Sequence, residues 1–258
     1  MLTSEILLLA AGQDGVVSRD QLRERFDVSD HAISRARRSG LVADVAPGVI
    51  RPASSPETFR MRCRAVQLCA DGCLSGWTAA HLHGLRAMPT ANIHFTVPTA
   101  FRRRVPDWVH LHRCSWYEPD RDRVTDADGL VLARPLRMLF GLAAAFTQHR
   151  FERAAEDAWH HGLVTPSEAV AYLERHRCRG KDGVAVFERW LERAVTRPRA
   201  TQSNLERRLL EALHRLDLPE PRRQHPLVLA SGETVHLDIA WPSIRLCVEP
   251  GATWWHGG

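Results

Sequence analysis

A chain of 258 residues with 44% hydrophobic and 25% charged side chains has the composition of a globular protein, which excludes a disordered tail, a collagen-like fibre and a small disulfide scaffold. No run approaches the ~20 apolar residues of a membrane span, and the short Ile6–Ala11 stretch lacks the basic flank of a signal peptide, so the expected location is the cytoplasm, with no membrane partner. The net charge of +5 comes from 35 basic and 30 acidic residues and is too evenly spread to identify a nucleic-acid ligand on its own.

The first element is a helix over residues 4–11. Ser18-Arg-Asp-Gln21 has the spacing of a capping box and starts a second helix with apolar Leu22 and Phe26. After a turn at Asp27–Val28, Ser29 N-caps a third helix that runs to Ser39 and stops at Gly40. Val28, Ile33 and Ala36 face inward, which leaves Asp30, His31, Ser34, Arg35, Arg37 and Arg38 on the outer side. Leu41–Val45, a turn at Ala46-Pro-Gly48 and Val49–Arg51 then form a hairpin. Three helices and a hairpin read as a winged helix-turn-helix over residues 1–55, a module that sets its last helix in the major groove and its wing along the backbone. The partner on this reading is double-stranded DNA. Ser29, His31, Ser34, Arg35 and Arg38 are the candidate groove-facing residues, and Arg37 and Arg51 the candidate phosphate contacts. The plainer alternative is a solvated helix face on a protein-binding module. It draws on the charge of residues 1–58, with 7 basic and 8 acidic side chains.

Residues 56–200 read as a mixed, mostly helical middle domain. Phe59–Ala70 has helical spacing, Asn92–Val97 and Val109–Cys114 alternate like strands, and Arg102-Arg-Arg104 is a basic loop, most simply a solvated one. Helices follow over Ala133–Phe146, Arg150–His161 and Gly183–Val195, and Thr165-Pro-Ser-Glu168 starts another with a capping box and a proline in its first turn. Cys63, Cys69, Cys73, His81 and His83 match no zinc spacing, and His110 and His112 read as ordinary strand residues. None of the six cysteines forms a Cys-x-x-Cys pair, which suits free thiols in a reducing compartment. Lys181 is the only lysine among the 35 basic residues. Arginine suits phosphate and base edges, but GC-rich coding produces the same bias.

The last part, residues 201–258, reads as one helix from Ser203 followed by three strands, His225–Ala230, Thr234–Ala240 and Ile244–Glu249. Asp238 and Glu249 fall near the ends of adjacent strands, where two carboxylates share a hard cation such as Mg2+. Glu206 on the helix can complete the cluster, or serve only as the capping partner of Ser203. A metal held there would polarise a phosphodiester and activate water. This tail has 1 basic and 3 acidic residues over 224–258, so little basic surface accompanies it.

Two resemblances join these readings. Gly15-Val-Val-Ser-Arg-Asp-Gln-Leu22, Ile33-Ser-Arg-Ala-Arg-Arg-Ser-Gly-Leu41, Ala46-Pro-Gly-Val49 and Ser75-Gly-Trp-Thr-Ala-Ala-His-Leu-His-Gly-Leu85 resemble AbiEi-type antitoxins of bacterial type IV toxin–antitoxin systems. The resemblance implies a winged helix that represses its own operon, and a following domain that helps neutralise a nucleotidyltransferase toxin. Ser-x-Leu-Glu206, Val-His-Leu-Asp238 and Val-Glu249-Pro-Gly-x-x-Trp-Trp-His256 resemble a Vsr-like, restriction-endonuclease-like domain. This implies Glu206, Asp238 and Glu249 as an acidic core, with His256 assisting. Gly251 stands where that superfamily places a lysine, and only nine residues follow Glu249, so the resembling unit is a partial one of αβββ type. The expectation is thus an α+β protein with three parts. It acts as a DNA-binding, antitoxin-like regulator, with a metal-dependent endonuclease and a toxin-neutralising protein as the alternatives.

Overall fold

The computed structural model describes residues 3–177, 181–195, 219–229 and 231–248. The chain divides into two units, 1–196 and 197–258, each mixing local elements into small sheets. The expected helix from Ser203 lies outside the described residues.

In the first unit, α1 (Ser4–Ala11) begins where the Thr3 hydroxyl accepts from the Ile6 amide. β1 (Val17–Ser18) runs into α2 (Arg19–Phe26), whose capping box is complete: Ser18 Oγ accepts from the Gln21 amide and Gln21 Oε1 from the Ser18 amide, both at 3.0 Å. Asp27 ends α2 in the left-handed region, and Ser29 caps α3 (Asp30–Arg38). β2 (Val42–Ala46) and β3 (Val49–Pro52) form the hairpin, turning through Pro47 and Gly48. The structure adds β1 on the far side of β3, giving a three-stranded antiparallel sheet ordered β1-β3-β2. Two residues are too few to show a period, so β1 has no signature in the sequence. Ile6, Leu22, Ile33, Ala36, Val42 and Ile50 close the core of this head.

α4 (Phe59–Cys69), β4 (Cys73–Leu74), α5 (Gly76–Leu82), β5 (Ile93–Pro98), β6 (Val109–Cys114), α6 (Pro119–Asp122), β7 (Arg123–Thr125) and β8 (Val131–Ala133) follow. The strands make one five-stranded sheet, ordered β6-β5-β4-β8-β7, in which β5–β6 and β4–β8 pair parallel. The sequence predicts two strands here; β4, β7 and β8 are two or three residues long, and tertiary pairing alone makes them strands. Ile93, Phe95 and Val97 point to one face of β5, into a cluster with Met61, Cys63 and Val66 of α4. Gly72 has no freedom to vary: a Cβ there would stand 2.2 Å from the Thr96 carbonyl oxygen. α7 (Pro135–Ala145), α8 (Gln148–His160), α9 (Pro166–His176) and α10 (Val184–Ala194) pack with α5 around Phe151, Phe187 and Trp190. The Thr165–Glu168 capping box forms as its spacing predicts.

The head is tied to this body by charge. Asp14, in the α1–β1 turn, accepts from Arg60 Nε and Arg64 Nε of α4 at 3.1 Å each. Arg64 also donates to the Gly129 and Asp128 carbonyls, and Arg60 pairs with the Asp128 carboxylate at 2.9 Å. Val16, Ala46 and Val49 of the head continue into the α4 cluster beneath.

In the second unit, β9 (Arg222–Val228), β10 (Thr234–Trp241) and β11 (Leu246–Val248) form an antiparallel sheet with β10 central. Pro242–Ile244 is a 3-10 turn, so the last strand starts two residues later than its apolar run suggests, after Arg245 at φ +52°. The Trp241 indole is buried and donates to the Pro219 carbonyl at 2.6 Å. Ile244 and Leu246 are exposed. No helix among the described residues is long and apolar enough to cross a membrane.

Removing Asp14 takes the paired carboxylate from the Arg64 guanidinium, whose side chain is 11% exposed, and leaves it only carbonyl acceptors among the described residues. Asp14→Ala is expected to lower stability by about 3 kcal/mol, and Asp128→Ala, on an exposed acid, by under about 1 kcal/mol. Urea unfolding of both variants checks the contrast.

Candidate nucleic-acid interface

The outer face of α3 is built by two constraints. Ile33 and Ala36 are buried against the head core, which fixes the helix rotation. At its C-terminal end Gly40 takes φ +72° and the Leu41 amide reaches the Ala36 carbonyl at 3.0 Å, closing the last turn. Ser29, His31, Arg35, Arg37 and Arg38 are exposed and Ser34 is half-buried. Three arginines in the last turn also oppose the negative end of the helix dipole, and Asp30 suits the first turn.

The arginines differ in what already holds them. Arg35 has no acidic or hydrogen-bonding partner among the described residues, and Arg38 makes only a 3.4 Å contact from Nε to the Ser34 carbonyl. Arg37 Nη1 is paired with Asp44 of β2 at 2.8 Å, and Asp44 also takes Arg19 of α2 at 3.3 Å. One carboxylate thus ties the hairpin to both helices. Arg51, the other expected phosphate contact, is held by groups of this chain. Its Nη1 donates to the Pro52, Ala53 and Ser55 carbonyls and its Nη2 pairs with Glu57, with the side chain only 16% exposed. Sequence could not show this, because an arginine at a hairpin end reads alike whether it binds carbonyls or phosphate.

The proposed acidic cluster is divided by what the structure describes. Glu206, Glu249 and His256 lie outside the described residues. Asp238 lies on central strand β10, where its Oδ1 accepts from Gln224 Nε2 at 2.6 Å. Gln224, at φ +48°, interrupts the β9–β10 pairing opposite it. Among the described residues, no group of three or more His, Cys, Asp and Glu side chains stands ready to hold a metal ion. Cys63, Cys69 and Cys73 are buried in the body. Burial pushes the Cys63 thiol up to about 12 and those of Cys69 and Cys73 to about 11, which leaves them protonated and unreactive near neutral pH. His83 bonds the Ala133 carbonyl and His81 stands edge-on to Phe59, so these two are spent on packing.

No family model matches the chain. Two uncharacterized Mycobacterium tuberculosis proteins, MT2308 of strain CDC 1551 / Oshkosh and Rv2248 of strain ATCC 25618 / H37Rv, are each 28% identical over 193 residues. The match takes in 73% of this chain but only 65% of each relative, so the chain spans less than two thirds of the length of the curated relatives it matches. The solved structure of the RV2827C protein from Mycobacterium tuberculosis has a TM-score of 0.39 at 20% identity, over 73% of this chain and 81% of that one.

Arg51 organises the segment between hairpin and α4. Arg51→Ala is expected to reduce stability by about 1–2 kcal/mol, through carbonyls left without a donor, as read by urea denaturation.

Proposed function

We propose that residues 1–55 are a winged helix that binds double-stranded DNA through α3, and that the protein is an antitoxin-like transcriptional regulator. The observation that carries this reading is the outer row of α3. Arg35 and Arg38 are exposed there with no acid paired to them among the described residues, on a helix braced from behind by Ile33 and Ala36 and at its side by Asp44. Arginines in that state lose little on meeting DNA, because no ion pair has to break first. His31 and Ser34 sit nearer the start of the same face and supply polar contacts to base edges. Arg37 acts at the side of the groove, shared with Asp44, and Arg51 takes no part. The near-neutral head places the affinity in a few well-set arginines rather than in a broad basic field. Regulation of the protein's own operon and a cognate toxin partner follow from the antitoxin resemblance and belong to the same proposal.

The test is salt-dependent binding of the full chain to the DNA upstream of its own reading frame, read by fluorescence anisotropy. Arg35→Ala with Arg38→Ala is expected to weaken binding at least tenfold and to flatten the salt slope by about one unit for each phosphate that is no longer neutralised. Arg51→Ala leaves affinity within about twofold. Unchanged binding by the double variant removes α3 from the interface. Asp44→Asn, which frees Arg37 and removes a negative charge beside the groove, is expected to tighten binding and steepen its salt dependence by about one unit.

A further inference from the structure

The sheet of the body carries three histidines on one face. His94 lies on β5, and His110 and His112 occupy alternate positions of the parallel edge strand β6, with His94 in register with His110. A two-residue spacing on one strand and a third ring directly across bring all three to the same side. His94 Nδ1 lies 2.8 Å from His112 Nε2, and the His94 ring centre is 4.9 Å from that of His110 and 5.0 Å from that of His112.

We propose that His94, His110 and His112 bind a divalent transition-metal ion of the zinc class, with His94 Nδ1 and His112 Nε2 as the first two ligands and His110 as the third. Two imidazole nitrogens on a tetrahedral zinc are about 3.3 Å apart, given a Zn–N distance near ~2.05 Å. The facing pair therefore needs to open by about 0.5 Å. His110 sits on the exposed edge strand and reaches the same point by turning its ring, which is why no three ligands stand ready in the structure as it is.

One further observation supports the site. His94 is 7% exposed, so its ring is held in place, and Gly76 keeps the space beside the ligand nitrogen open: a Cβ there would stand 3.2 Å from His94 Nδ1. Cys114, the next residue on this face of β6, accepts from Arg137 Nη2 at 3.0 Å, which leaves the histidines as the ligand set. His110 and His112 are exposed, so the ion enters from solvent without opening the core.

The experiment uses the full chain, freed of any affinity tag and stripped with a chelator. Zn2+ is titrated calorimetrically, and Co2+ by its visible absorption, which reports coordination geometry directly. One equivalent is expected to bind with a tetrahedral-type Co2+ spectrum. His112→Asn and His110→Asn, both on the exposed strand, should each weaken Zn2+ binding at least tenfold. His160→Asn, outside the cluster, should leave it unchanged. His94→Gln should abolish binding; if that core variant does not fold, the two edge variants decide. Absence of stoichiometric Zn2+ binding by the parent chain, or binding that survives both His110→Asn and His112→Asn, overturns the site.

Discussion

Asp14 is the constraint on which the first unit depends. Its two carboxylate oxygens take one arginine each from α4, and those arginines go on to the carbonyls and carboxylate of the β7–β8 turn. The head has a small core of its own, eight buried residues among those described, and a core that small holds a fold weakly. The Asp14 network, together with Val16, Ala46 and Val49 packing into the α4 cluster, lends it the rigidity of the body. Burying a guanidinium is costly unless every donor finds an acceptor. Each nitrogen of Arg64 finds one, with Asp14, Gly129 and Asp128, which fixes the relative placement of three segments far apart in the chain.

The same chemistry explains why counting arginines says little about ligands. Arg64 is a buried tie and Arg51 a carbonyl clamp. Arg137 lies 3.7 Å over the Trp116 ring and donates to the Cys114 thiol. Arg37 and Arg19 share Asp44. The planar fork with five donors serves each of these roles. What distinguishes Arg35 and Arg38 is that no acid stands beside them among the described residues, on a helix whose rotation is fixed, a property of neighbours and not of composition.

The body sheet follows a comparable division. Its apolar face, through Ile93, Phe95 and Val97, is the floor of the α4 cluster, and its opposite face places Thr96 and the histidines toward α5 and the edge. Every residue of β5 from Ile93 to Val97 is buried, polar ones included. A strand covered on both faces normally carries apolar residues on each, so His94 and Thr96 depart from that pattern, and they do so where the histidine cluster stands.

Local chemistry alone determined much of this protein. The capping boxes at Ser18 and Thr165, the Ser29 cap, the inward Ile33 and Ala36 and the outward arginines of α3 were all legible, because each depends on residues three or four apart. Tertiary structure decided the rest. β1, β4, β7 and β8 are too short to carry a period and exist only through their partners. The register that sets His94 against His110 joins strands separated by a ten-residue connection with no pattern of its own. Whether an arginine is free or spent rested on acids and carbonyls brought near by folding, as Asp44 is to Arg37 and the Ser55 carbonyl to Arg51. Sequence spacing reports which face a side chain takes along one element; which groups it meets there depends on distant segments, and spacing along the chain does not encode that.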